Sequence, residues 1–170
     1  TTTGKTSREV FELREKFHQS HKFDFLTVGS MGCASGIGCG IALQTKKQVF
    51  VIDGDGAVLM KMGTLGTIGY YKPSLNHIII DNGAYESTGG QPTTSITLNW
   101  KKLLKGLGYK NIAIIKTKRQ LENLRFENKD HPFGIVIYSK PGARSELGRP
   151  SLTPIDNKKT FMKFLNKETL

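Results

Sequence analysis

A chain of 170 residues, 37% hydrophobic and with 19 glycines, is long enough for a sizeable core, and a single domain spanning 1–170 is expected. No apolar run approaches a membrane span, no signal-peptide pattern leads the chain, and its two cysteines form no disulfide framework or metal motif, so a cytoplasmic protein without a membrane partner is expected. The net charge of +11 suits nucleic acid or small anions, but the 25 basic residues are dispersed and lack aromatic interleaving, which favours an anionic cofactor or substrate and no nucleic acid.

In chain order, Thr1-Thr2-Thr3 opens without Met, which suggests a fragment or a subunit of something longer. Thr6-Ser7-Arg8-Glu9 reads as a capping box with Thr6 as N-cap, followed by Val10, Leu13 and Phe17 at helical spacing. His18 and His21 at its end are read as solvated histidines favoured by the helix dipole rather than as a metal pair. Residues 25–28 predict a first strand, and Gly29-Ser30-Met31-Gly32 turns into a helix running to about Leu43, in which Gly36, Gly38 and Gly40 permit close packing. A dinucleotide-binding outline fails here in detail. The G-x-G at 36–38 lies inside the helix, and Ile41 occupies the third glycine position.

The stretch 49–94 organises the rest. An apolar strand at 49–52 ends in Asp53-Gly54-Asp55-Gly56, and a helix over 57–71 follows, with Leu59, Met62, Leu65 and Ile68 near one face. A second strand at 77–80, opened by a structural His77, ends in Asp81-Asn82-Gly83-Ala84. Two strands joined by a helical crossover are parallel, and ligands of open α/β sheets bind beyond their carboxyl ends. Asp55 and Asn82 therefore come side by side and offer oxygen to a hard divalent cation, while Gly54 and Gly56 bare the backbone to a phosphate. A polar, flexible loop over 83–92 brings Tyr85, Glu86, Ser87 and Thr88 as candidate contacts.

Beyond it, a helix is expected over 99–106, a strand over 112–115, and a helix over 118–126 with Leu121 and Leu124 inward. A strand over 133–138 precedes a Gly- and Pro-containing stretch with Arg144 and Arg149, and a last helix from Thr153-Pro154 buries Phe161, Phe164 and Leu165. The alternation argues α/β: a doubly wound parallel sheet of five or six strands with helices on both faces.

GDG with Asn 27 positions after its aspartate, together with GSMG upstream, resembles the diphosphate-binding motif of the thiamine-diphosphate-dependent 2-oxo acid decarboxylases. The phrases TTGKTSRE, DFLTVGSMG, GDGAVLMKMGTLGTIGYYKPSLNHIIIDNGAYESTGGQPT and LGRP are most similar to the branch acting on phosphonopyruvate, with the sulfopyruvate branch close. The resemblance implies thiamine diphosphate and Mg²⁺ as cofactors. It makes Asp55, Asn82 and the Ala84 carbonyl the metal ligands, with Gly54, Gly56, Ala57, Tyr85 and Glu86 around the diphosphate. It also implies that the turn Gly29-Ser30-Met31 meets the aminopyrimidine. There the Gly29 carbonyl and the Met31 N–H bond the ring, and the Met31 side chain wedges between the two cofactor rings. The expected reaction is decarboxylation of the small anionic 2-oxo acid 3-phosphonopyruvate to phosphonoacetaldehyde; sulfopyruvate and acetolactate-synthase-like chemistry are the alternatives. In such enzymes the activating glutamate sits on a separate pyrimidine-binding domain, for which Glu86 is a poor stand-in. A complementary domain or subunit in a homo- or hetero-oligomer is therefore implied. A non-catalytic basic binding module is the reading from another class.

Overall fold

The computed structural model describes residues 1–127 and 130–166. The elements are α1 (Lys5–Lys16), α2 (Ala34–Gln44), β1 (Val49–Gly54), α3 (Asp55–Met60), α4 (Gly63–Tyr71), β2 (Leu75–Asp81), β3 (Ala84–Tyr85), β4 (Gln91–Pro92), α5 (Trp100–Gly106), β5 (Asn111–Ile115), α6 (Lys118–Glu122), β6 (Phe133–Tyr138) and α7 (Pro154–Asn166). Four strands form one parallel sheet in the order β1-β2-β6-β5, and β3 and β4 form a small antiparallel hairpin.

The connections decide which helices lie on which face. β1→β2 and β2→β5 step across the sheet in one direction, and β5→β6 steps back. Right-handed crossovers then place α3, α4 and α5 on one face and α6 on the other. The packing agrees. One core cluster joins Ala34, Cys39, Val51, Val58, Leu65, Ile68, Ile79, Trp100, Leu104 and Val136. The strand residues of opposite parity, Ile78, Ile115, Phe133 and Ile135, pack instead with Leu124 and Phe126.

The sheet has four strands, where five or six were expected, because residues 25–28 do not join it. Two of their N–H groups are taken elsewhere: Leu26 N donates to Asn157 Oδ1 at 2.9 Å and Thr27 N to Thr1 O at 3.3 Å. The open edge of β1 is met by Thr2, whose N–H donates to Ile52 O at 2.8 Å.

Five local expectations are corrected. The capping box at Thr6 does not form, because α1 starts two residues earlier, at Lys5 after Gly4, which sits at φ +88°, and has no side-chain cap. Its buried residues are Ser7 and Phe11, while Leu13 and Phe17 are exposed: Ser7 donates to Thr2 O at 2.5 Å, and Phe11 stacks on the His21 ring 4.2 Å away. The helix over 57–71 is broken at Lys61-Met62 into α3 and α4, and Met62 is exposed. Gly32 packs closely against α3, since a Cβ there would lie 2.5 Å from Ala57 O and 2.7 Å from Lys61 Cγ. The helix over 118–126 ends at Glu122, which releases Leu124 and Phe126 into the second cluster and leaves Leu121 exposed. The loop over 83–92 carries the β3–β4 hairpin.

Close packing through glycine is real at Gly38, where a Cβ would lie 2.2 Å from Val51 Cγ2, whereas Gly40 faces open space. Cys33 and Cys39 are free thiols. Among the described residues, no helix is long and apolar enough to cross a membrane.

Candidate functional site

The carboxyl ends of β1, β2 and β6 lie together on one edge of the sheet, since all three strands are parallel neighbours. β1 ends at Gly54 and α3 starts at once with Asp55; β2 ends at Asp81, just before Asn82. A cavity of about 370 Å³ opens at this edge. Nine of the eleven residues chosen from sequence line it: Met31, Gly54, Asp55, Gly56, Ala57, Asn82, Ala84, Tyr85 and Glu86. Gly29 and Ser30 stand outside the lining. They are exposed and form the left-handed turn before Met31, at φ +67° and +46°.

Asp55 is only 2% exposed, and its Oδ2 accepts a hydrogen bond from Thr93 Oγ1 at 2.5 Å. Its Oδ1 has no hydrogen-bond partner among the described residues, which leaves one oxygen of a buried carboxylate for a ligand. Asn82 Oδ1 accepts from Ala84 N at 3.0 Å, an Asx turn that bends the loop through Gly83 at φ +69°. A carboxylate, an amide oxygen and a main-chain carbonyl are hard donors suited to Mg²⁺. No group of three or more His, Cys, Asp or Glu among the described residues could hold a metal by itself. A cation here would complete its shell from a diphosphate and water, so the donor set fits a Mg²⁺–diphosphate.

Gly56 is required by close approach. A Cβ there would lie 2.4 Å from Tyr85 Cε1, so the hairpin's aromatic ring rests on the bare glycine. Gly54 is different, because a Cβ there would meet no protein atom within 4 Å.

Glu86 closes the cavity on its other side. Its Oε1 accepts from Gly142 N at 2.7 Å and its Oε2 pairs with Lys5 Nζ at 3.2 Å. The Gly142 N–H, and after it the Lys5 ammonium, hold the Glu86 carboxyl below its usual range. One carboxylate thus clasps the start of α1, the hairpin and the segment after β6. Ser139, Lys140 and Ala143 of that segment also line the cavity. Arg144 fastens the same segment to α1 through Glu9 at 2.8 Å and Glu12 at 2.6 Å, partners that raise its guanidinium further. Its role is therefore an ion-pair cluster within the chain. Arg149 is exposed. His77, fully buried in β2, meets Asp53 Oδ2 through Nε2 at 3.1 Å and the Tyr109 hydroxyl through Nδ1 at 2.8 Å, in keeping with a structural role. Burial pushes the Tyr109 hydroxyl well above its usual range.

Sequence reasoning missed Asp81, Thr93, Ser95 and Trp100, all at most 4% exposed, which lie beneath the two loops. Asp81 accepts from Ser95 Oγ at 2.8 Å, Trp100 Nε1 at 2.6 Å and Gly83 N at 3.1 Å. The available signal was a second acid beside Asn82 and a run of hydroxyl residues just past the loop.

Residues 2–136 match the family model for the thiamine pyrophosphate enzyme, C-terminal TPP binding domain. The chain belongs to this family. Both loops of the site fall inside the matched range. Among relatives of this TPP-binding domain, phosphonopyruvate decarboxylase of Streptomyces viridochromogenes is 36% identical over 168 residues, covering 97% of this chain and 41% of that protein. Sulfopyruvate decarboxylase subunit beta of Methanocaldococcus jannaschii is 42% identical over 130 residues, 75% of this chain and 64% of that one. The same subunit of Methanococcus maripaludis is 31% identical over 165 residues, 96% of this chain and 86% of that one. The chain therefore spans 41% of the phosphonopyruvate decarboxylase and 86% of the M. maripaludis subunit.

Proposed function

We propose that this chain supplies the diphosphate- and Mg²⁺-holding half of a thiamine-diphosphate-dependent decarboxylase that converts 3-phosphonopyruvate and a proton to phosphonoacetaldehyde and CO₂. The observation that carries the reading is the convergence of Asp55, Asn82 and Ala84 on one cavity at the carboxyl ends of two adjacent parallel strands. Asp55 Oδ1, the Asn82 side-chain oxygen and the Ala84 carbonyl are the ligands of Mg²⁺, and Gly54 leaves the backbone open to the diphosphate. Met31, on the cavity wall, supports the folded cofactor. When bound, the cofactor supplies an electron sink for the carbon that loses CO₂. The activating glutamate comes from a pyrimidine-binding domain or subunit. Glu86 does not fill that role here, because both its oxygens are engaged by Gly142 and Lys5.

A second substrate, sulfopyruvate, is favoured by one observation: the chain aligns with 86% of a sulfopyruvate decarboxylase beta subunit, a relative of similar extent. Turnover of each 2-oxo acid by the completed enzyme separates the two. Release of phosphonoacetaldehyde from 3-phosphonopyruvate with little turnover of sulfopyruvate supports the first reading, and the reverse preference replaces it with the second. Failure to decarboxylate either acid, with thiamine diphosphate bound, refutes both.

A further inference from the structure

We propose that Thr93 is a positioning residue for the cation at this site: it fixes Asp55 so that Oδ1 is offered to the metal, and it sets the spacing between the Asp55 and Asn82 loops. This rests on the metal site proposed above. The two loops follow different strands and need a brace between them. Thr93 provides it with two groups of one residue. Its hydroxyl donates to Asp55 Oδ2 at 2.5 Å, and its backbone N–H donates to Gly83 O at 2.9 Å, beside Asn82. The hydroxyl has a single proton, committed to Asp55, and its oxygen accepts from Ser95 N at 3.3 Å. The brace is itself anchored: Ser95 Oγ donates to Asp81 Oδ1 at 2.8 Å, and Trp100 Nε1 donates to Asp81 Oδ2 at 2.6 Å. Thr93, Ser95 and Asp55 are 2–3% exposed, so these bonds are shielded from bulk water. Rotating the Asp55 carboxylate away from this pose would leave a buried oxygen and a buried hydroxyl unpaired. A single bond to Oδ2 thus selects Oδ1 as the metal-facing oxygen, in the way outer partners orient ligands at metal sites.

The test is Mn²⁺ titration, read by electron paramagnetic resonance with thiamine diphosphate present, on the full protein or complex that carries this chain. Wild type, Asp55→Ala, Thr93→Val and Thr93→Ser are compared, with metal-free melting temperatures measured in parallel. Thr93→Val keeps the volume and removes the donor, and metal affinity should fall about 10- to 100-fold. Thr93→Ser restores the hydroxyl and should hold affinity within a few-fold of wild type. Should Thr93→Val fail to fold, Thr93→Cys, a weak donor of similar size, takes its place with the same expected direction. A Thr93→Val or Thr93→Cys protein that melts lower but binds Mn²⁺ like wild type overturns the proposal, because a merely structural residue behaves that way. If wild type and Asp55→Ala bind Mn²⁺ alike, the metal site itself fails and this inference fails with it.

Discussion

Replacing Gly56 with alanine tests whether the second glycine of the GDG sequence serves a ligand or the fold. Gly56 does not have a positive φ, so alanine is conformationally allowed there. What forbids it is contact. The new methyl would lie 2.4 Å from Tyr85 Cε1, 2.6 Å from Cδ1 and 3.3 Å from Cζ. The ring must swing off α3, and Tyr85 is paired with Gln91 in the hairpin that forms one wall of the cavity. Overpacking of this kind costs about 1–3 kcal/mol. Within a helix, Gly→Ala returns at most about 1 kcal/mol, and less in the first turn where Gly56 lies. The expected net loss for Gly56→Ala is therefore about 1–2 kcal/mol, measured by chemical denaturation. Removing the obstacle should remove the cost: in a Tyr85→Ser background, Gly56→Ala should be close to neutral, a coupling of about 1–2 kcal/mol between two touching residues. An equal cost in both backgrounds would refute the packing argument.

Gly54→Ala should leave stability almost unchanged, because its methyl meets nothing within 4 Å, yet weaken thiamine diphosphate binding in calorimetry if the diphosphate approaches that backbone. Trp100→Phe removes the 2.6 Å donor to Asp81 in a site 1% exposed and should cost about 1–3 kcal/mol in denaturation, with the loss extending to metal affinity through the Asn82 loop. The Glu86 clasp carries a pH signature. Its folded carboxyl lies below the ordinary value of 4.5, so the clasp contributes fully above that value and is lost as pH falls through the depressed folded one. Glu86→Gln should flatten that part of the acid-unfolding curve and leave the neutral-to-basic side unchanged.

The core of the site was legible because its signals are short-range and strict. Strand 133–138 and the apolar runs before Asp53 and Asp81 are long runs of strand formers, the latter two closed by Gly54 and Gly83, and crossover geometry then brings their loops together. What failed depends on partners distant in sequence. Residues 25–28 read as a strand from composition, but the Leu26 amide is taken by Asn157, 131 positions away, and the Thr27 amide by Thr1. The apolar spacing of Val10, Leu13 and Phe17 named the wrong face of α1, because the face it buries carries a polar residue, Ser7, bonded to Thr2 beside Phe11. The Glu86 clasp joins residues 56 positions apart through a backbone N–H, which no residue pattern reveals. Thr93 and Ser95 read as loop polarity, since hydroxyls in a Gly- and Pro-rich stretch are ordinary turn formers.

The central claim, that Asp55 anchors a Mg²⁺–diphosphate on this chain, is tested most directly by calorimetric titration of thiamine diphosphate, with and without Mg²⁺, on the full protein or complex in wild-type and Asp55→Ala forms. Binding that requires Mg²⁺ in wild type and is lost in Asp55→Ala is the predicted result. Binding that is indifferent to Mg²⁺ and unchanged in Asp55→Ala would contradict it.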